Sequence, residues 1–255
     1  MASKIWRRMG ILSVLAISGV VGCTTQQPLI SHAHVGHALT TWHDTPGQQG
    51  LMEVAAADLR IAEREARMAC SNALSGSGTA HTANVIYALV PEAQRNPEFK
   101  GPGSGYGAVR ALMGTVEHLE YAATSADASL NLVTAVAQLS LHGETVHARL
   151  EVATELAQTM LSAPSAEFAD HCSRLQQELR VALHGGVVGP RDDGFSTIGF
   201  NALHAEVLAT LRREQDPAYE PVPRRYVLGL VRLPSGEWQY RLPRSTNQMP
   251  TRYGY

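Results

Sequence analysis

The sequence predicts a mainly α-helical protein, a bundle of about five or six helices that ends in a small C-terminal β-hairpin. Between residues 51 and 216, apolar side chains recur at the spacing of a helix face, and alanine is frequent among them. Beyond Pro217, the stretch YVLGLVRLPSGEWQYRL has two β-rich arms around Pro-Ser-Gly, which is typical of a hairpin. Because a lone hairpin is marginally stable, we expect it to pack on the bundle or to pair with another strand.

The first 22 residues have the pattern of a secretory signal peptide. A basic start that contains Lys4, Arg7 and Arg8 precedes an uncharged apolar run from Met9 to Gly22. This run is too short to span a bilayer as a mature helix, whereas its length suits the apolar core of a signal peptide. We therefore interpret residues 1–22 as a signal peptide.

The residues that follow the apolar run read VVGC, from Val20 to Cys23. This stretch resembles the lipobox of bacterial lipoproteins, in which the cysteine carries fatty acyl chains such as palmitate and becomes the first residue. The resemblance is limited to the signal peptide and lipobox. It implies a lipid anchor at Cys23 and, since Thr24 stands where the inner-membrane retention signal has Asp, an outer-membrane location. It leaves open whether the protein faces the periplasm or the cell surface.

The charge balance argues against a nucleic-acid partner. Removal of the signal peptide takes three of the 21 basic residues, which leaves 18 against 23 acidic residues and a formal charge of −5. Nucleic-acid binding depends on clustered lysine and arginine, which this balance does not favour. We expect the membrane, through the lipid anchor, and an envelope protein complex as partners.

The mature chain divides by composition into a lipidated, His-rich segment at residues 23–50, a helical bundle at 51–216, and a hairpin with an irregular tail at 217–255. Within the bundle, a long connection with the sequence RNPEFKGPGSGYG separates two helices, because its prolines and glycines cannot sustain helical structure. Helical periodicity covers residues 51–74, 79–93, 106–124, 127–162, 165–184 and 197–213.

Two cysteines remain for a disulfide if Cys23 is acylated. Cys70 and Cys172 lie on the inner faces of two predicted helices of an exported chain, where thiols can oxidise. We predict that they form a disulfide, and the alternative is a pair of buried free thiols. Closure of so long a loop would stabilise the fold by about 4 kcal/mol on the chain-entropy model.

Histidines are concentrated in the stretch SHAHVGHALTTWHD, residues 31–44. His32, His34, His37 and His43 are therefore the candidate metal ligands, since neutral imidazole binds zinc, copper and nickel. His32 and His34 share a side if the stretch is extended, whereas His34 and His37 share a face if it is helical. Protons should displace a metal held by ordinary imidazoles as the pH falls through about 6.

Two other interpretations of the His-rich stretch remain open. It can be a tether between the anchor and the bundle, or its rings can dock on the bundle and cap helices. Because the stretch contains apolar residues and Trp42, we expect it to be ordered against the domain.

Haem or iron chemistry is a minor alternative. A Cys-x-x-Cys-His motif is absent from the sequence, so non-covalent haem would need inward ligands such as Met113 or His204. Di-iron bundles use a Glu-x-x-His motif from each of two helices, whereas the sequence contains this motif once, from Glu144 to His147, although Glu120 falls within the apolar face of its helix. We consider haem and di-iron cofactors less favoured than a single transition metal.

The sequence contains no nucleophile elbow, phosphate-binding loop, dinucleotide-binding glycine pattern or His-Glu-x-x-His motif. We therefore assign no catalytic residues and expect a non-enzymatic protein. The favoured function is binding of a transition metal by the N-terminal histidines. The alternative is a structural or adaptor lipoprotein that docks on an outer-membrane complex.

Overall fold

The protein is mainly α-helical, as the sequence predicts. The computed structural model describes residues 29–72, 77–94, 96, 98–162, 165–186, 197–214 and 219, together with three short strands. The described residues form seven α-helices, one more than the upper end of the prediction. The helices are α1 (Ile30–Leu39), α2 (Leu51–Ser71), α3 (Ser77–Leu89), α4 (Ala108–Thr124), α5 (Leu130–Ser162), α6 (Ser165–His184) and α7 (Phe200–Arg212).

The two helices α2 and α5 organise the core. α5 packs against α3, α4, α6 and α7, and α2 packs against α3, α4 and α6. Small residues let helices approach closely, as at Gly143 of α5, where an added Cβ would collide with the side chain of Val116 on α4. The apolar face predicted for α5 packs inward: Leu161 at its end is partly buried, and the other members are buried, namely Leu132, Val136, Leu139, Val146, Leu150, Ala153 and Ala157.

The additional helix is α1, which forms from the His-rich stretch. In agreement with our expectation, this stretch is ordered against the bundle, where α1 packs on α4 and touches α2. Gly50 makes the connection possible, because a Cβ at this position would collide with the backbone of Leu39. The end of α1 and the start of α2 are therefore in direct contact.

Cys70 on α2 and Cys172 on α6 lie at disulfide distance, with 5.5 Å between their Cα atoms. This spacing fits the usual range for bonded cysteines. Cys172 is buried, as its predicted inward position requires. The pair connects residues that are 102 positions apart in the chain.

Three short strands lie near the C-terminus: β1 (Arg224–Arg225), β2 (Leu230–Arg232) and β3 (Trp238–Tyr240). They form an antiparallel sheet in the order β1-β2-β3, with Leu230 opposite Tyr240. The turn between β2 and β3, at residues 233–237, lies outside the described residues, so the C-terminal hairpin stays a prediction. The signal peptide, Cys23 and the tail from residue 241 onwards also lie outside the described residues. None of the described helices combines the length and apolar character required to cross a membrane.

Candidate metal site

Two of the predicted ligands are brought together by helix α1. The stretch is helical rather than extended, so His34 and His37 are three residues apart on one face. That face meets α4, and both imidazoles are half-buried in the contact. His32 is turned away from this face.

His118 of α4 completes a group of three rings, which we call the His pocket (His34, His37 and His118). The candidate ligand atoms of the three residues all lie within 4.8 Å of one another. His118 is 7% exposed, and its ring centroid lies 5.4 Å from that of His34 and 4.9 Å from that of His37. Three imidazoles from two helices therefore converge on one point.

The spacing of the His pocket suits a transition metal. The Nδ1 atoms of His34 and His118 are 3.1 Å apart. Two nitrogens bound to one tetrahedral zinc at 2.0–2.1 Å are separated by about 3.3 Å, so this pair already has the spacing of two ligands. In the absence of a metal, the same contact is a hydrogen bond in which one ring donates from Nδ1 and the other accepts.

The third ring has an unused ligand atom. Nδ1 of His37 is buried and makes no hydrogen bond within the described part of the chain. A buried polar atom without a partner is unfavourable by about 1–3 kcal/mol. Coordination of a metal by His37 would remove this penalty.

Burial keeps the pocket imidazoles neutral. Burial, together with positive charge on neighbouring histidines, lowers the pKa of both His37 and His118 to about 4. Burial also lowers the pKa of His34, although the charge of Asp127 opposes this shift. The rings are therefore in the form that binds metals at neutral pH, and protons should compete with a metal only at a lower pH than for ordinary imidazoles.

Aromatic side chains surround the pocket. The indole of Trp42 packs against His37 and His118, with centroid distances of 4.7 and 4.6 Å. The ring of Tyr121 lies 5.3 Å from that of His34, and its hydroxyl donates a 2.6 Å hydrogen bond to Glu117. The pocket is thus bounded by aromatic rings, and no carboxylate belongs to the candidate ligand group among the described residues.

Asp127, in the connection between α4 and α5, fixes the position of α1. Its carboxylate accepts hydrogen bonds from the backbone N–H groups of Ile30 (2.5 Å) and Ser31 (3.0 Å). These donors are at the N-terminus of α1, where they have no partner within the helix and where a negative charge is favourable. Asp127 thereby helps to hold His34 and His37 against His118.

The structure does not bring His32 and His43 to the pocket. The side chain of His32 is 5% exposed, with Nε2 3.6 Å from Oε2 of Glu214 and its ring 5.2 Å from that of Tyr219. The side chain of His43 is 69% exposed and pairs with Asp44 at 2.8 Å. Its ring lies 4.3 Å from that of Trp42, so it borders the pocket through the indole.

Sequence reasoning missed His118, because the search favoured histidines that are close together in the chain. A signal exists in the helix periodicity. Ala111, Thr115, His118 and Ala122 form a stripe of small and polar residues at helical spacing, and all four are buried. A histidine within such a stripe faces a neighbouring helix rather than solvent.

Two predicted inward residues are in fact exposed. Met113 is 37% exposed, so it is not an internal haem ligand, and Glu120 is exposed rather than part of the inner face of α4. The buried face of α4 includes its small residues, so it is rotated by about one residue position from the face that the large apolar residues predict. His204 is half-buried on α7, with its ring 6.3 Å from that of Phe200.

A scan against protein-family models and searches of curated proteins and solved structures found no match to this chain.

Proposed function

We propose that this protein is an envelope lipoprotein that binds a transition metal ion through His34, His37 and His118. The observation that carries the proposal is the convergence of three imidazoles within 4.8 Å. Two of these ligands, His34 and His37 on α1, were predicted from the sequence. The third, His118 on α4, takes the place of the predicted His32 and His43. Copper, zinc and nickel are the candidate ions, because imidazole is a suitable ligand for each of them.

Two further features support metal binding over a purely structural role. The pocket rings have no carboxylate among them, whereas His81 and His142 each contact a carboxylate at 2.8 Å. In addition, Nδ1 of His37 has the buried and unpaired character expected of a ligand atom. The envelope location rests on the lipobox around Cys23, and the α1 helix begins seven residues after that cysteine.

The proposal predicts about one metal ion per chain for a three-histidine site. The full chain, purified in mild detergent and reconstituted separately with copper, zinc and nickel, is analysed by elemental mass spectrometry. A variant with His34→Ala, His37→Ala and His118→Ala should lose the ion, because removal of every imidazole removes the donor set.

The matched control carries His81→Ala, His142→Ala and His147→Ala, which removes three histidines outside the pocket. This control should bind metal like the unaltered chain. Absence of metal from the unaltered chain after all three reconstitutions, or equal metal content in the pocket variant, would show that the proposal is wrong.

A docking role is a second candidate, favoured by an exposed apolar stripe on α5. Leu130 is 81% exposed, Val133 48% and Leu141 60%, and Leu130 also lines a groove between α5 and α7. Exposed apolar side chains in a row are typical of interaction surfaces. Leu130→Glu with Leu141→Glu should abolish cross-linking to an envelope complex if the stripe is a docking surface, and unchanged cross-linking would exclude that role.

A further inference from the structure

The ligand atoms of the His pocket carry no negative charge, so they do not neutralise the charge of a bound ion. Each of the three ligands is a neutral imidazole, and no carboxylate or thiolate belongs to the group among the described residues. A divalent ion held by this set keeps a charge of +2, whereas a monovalent ion keeps +1. Neutralisation of a divalent ion would require an additional anion such as hydroxide.

Burial makes that difference in charge important. His118 is 7% exposed, and Nδ1 of His37 is inaccessible to solvent. The desolvation penalty of an ion rises with the square of its charge, so it is about four times as large for a divalent ion as for a monovalent ion of equal size. The buried side of the pocket therefore disfavours a doubly charged complex.

The surrounding aromatic rings attract a cation without supplying a negative charge. The indole of Trp42 lies against two of the three imidazoles, so it neighbours an ion that those imidazoles share. The face of an indole attracts cations, most strongly where water is excluded. Such rings stabilise a positive charge but, unlike an anionic ligand, do not neutralise it.

We propose that the His pocket holds monovalent copper, coordinated by His34, His37 and His118 beside the indole of Trp42. This inference rests on the proposed function and specifies the ion. Among the metals that imidazole binds, copper has a stable monovalent state, and that state accepts three ligands without a bound water. The preference for monovalent copper over zinc then comes from the neutral donors and the burial, and the indole stabilises the bound cation.

Uptake from a mixture of the two metals tests the preference. The full chain in detergent is incubated anaerobically with equimolar tetrakis(acetonitrile)copper(I) and zinc sulfate, and the bound metal is then quantified. We expect one copper per chain, silent in electron paramagnetic resonance, and little zinc. Preferential uptake of zinc that depends on the pocket histidines would overturn the copper assignment and leave the proposed function intact. Uptake of neither metal would overturn the copper assignment, and absence of metal after the separate reconstitutions with copper, zinc and nickel would overturn the proposed function as well.

Substitution of Trp42 tests the part played by the indole. Trp42→Leu should weaken copper(I) binding about tenfold, measured by competition with bicinchoninate, because the cation–π contact is lost. Trp42→Phe keeps an aromatic ring and should give an intermediate loss for copper(I). Unchanged copper(I) affinity in folded Trp42→Leu protein would contradict the part played by the indole.

Discussion

Histidines lie at two contacts between helices, and their imidazoles have different partners in the two places. At the α2–α3 contact, the buried carboxylate of Glu65 accepts hydrogen bonds from His81 (2.8 Å), Asn84 (2.9 Å) and Arg64 (3.1 Å). We call these four residues the Glu65 cluster. At the α1–α4 contact, the rings of the His pocket contact one another and aromatic side chains, and one Nδ1 has no hydrogen bond within the described part.

The difference separates a structural cluster from a candidate binding site. Burial raises the pKa of Glu65, but the hydrogen bonds from His81, Asn84 and Arg64 outweigh it and leave the pKa below its ordinary value. The Glu65 cluster is therefore stable as it stands. In the His pocket, burial lowers the pKa of the rings, and neutral donors remain available. The carboxylate partner of half-buried His81 is what a packing role requires, whereas the three histidines of the His pocket lack such a partner among the described residues and are the candidate ligand set.

The largest expected effect concerns the disulfide-distance pair, one member of which, Cys70, lies on the same helix as Glu65. Replacement of Cys70 and Cys172 with serine should lower the free energy of unfolding by about 4 kcal/mol, because a cross-link would restrict a loop of about 100 residues in the unfolded chain. Urea unfolding followed by circular dichroism measures this loss. Metal affinity at the His pocket should change little in folded protein.

A reducing agent should produce the same destabilisation in the unaltered chain and none in the serine variant. If reduction leaves the unfolding midpoint of the unaltered chain unchanged, the two cysteines are free thiols, which was the alternative left open by the sequence.

A smaller effect should distinguish the two clusters directly. Glu65→Ala should lower the free energy of unfolding by about 2 kcal/mol, since it removes a buried acceptor of three charge-assisted or polar hydrogen bonds. His118→Leu should change stability by less than about 1 kcal/mol, because the apolar substitute is similar in volume and half-buried His34 can bond to water.

In metal binding, the variant with the smaller loss of stability should have the larger effect. His118→Leu should lose the ion, whereas Glu65→Ala should keep it, as measured by elemental analysis of folded protein. A greater loss of stability in His118→Leu than in Glu65→Ala would mean that the His pocket is itself a structural cluster.

A third effect is the pH dependence of stability in metal-free protein. The unfolded chain takes up protons at ordinary imidazoles near pH 6.5, whereas His37 and His118 in the folded chain do so near pH 4. Between these values the unfolded state binds more protons, so the contribution of these two rings to stability should fall as the pH decreases from about 6.5 to about 4 and then level off.

His118→Leu should reduce this slope, since it removes one of the rings with a lowered pKa and relieves the other of its charge. Chemical unfolding at several pH values, with a chelator present, measures the slope. An identical slope in the variant would mean that the pocket does not carry the pH dependence.

The helical architecture followed from local features of the sequence. Apolar residues at helical spacing predicted the inner face of α5, and Leu132, Val146 and Leu150 are buried there. The proximity of Cys70 and Cys172 could also be predicted, because both cysteines fall on the inner faces of their helices. Local periodicity carries this information since each helix must bury its apolar side.

The composition of the candidate metal site was decided by tertiary structure. From the sequence, residues 31–44 could be extended or helical, and packing against α4 together with the carboxylate of Asp127 favours the helix. That helix joins His34 to His37 and directs His32 towards Glu214 instead. His118 lies 84 residues from His34, and no local pattern specifies which side chain of α4 will face α1. Histidine density in the sequence located one half of the pocket, but only the packing of two helices could supply the other half, because ligands converge in space rather than along the chain.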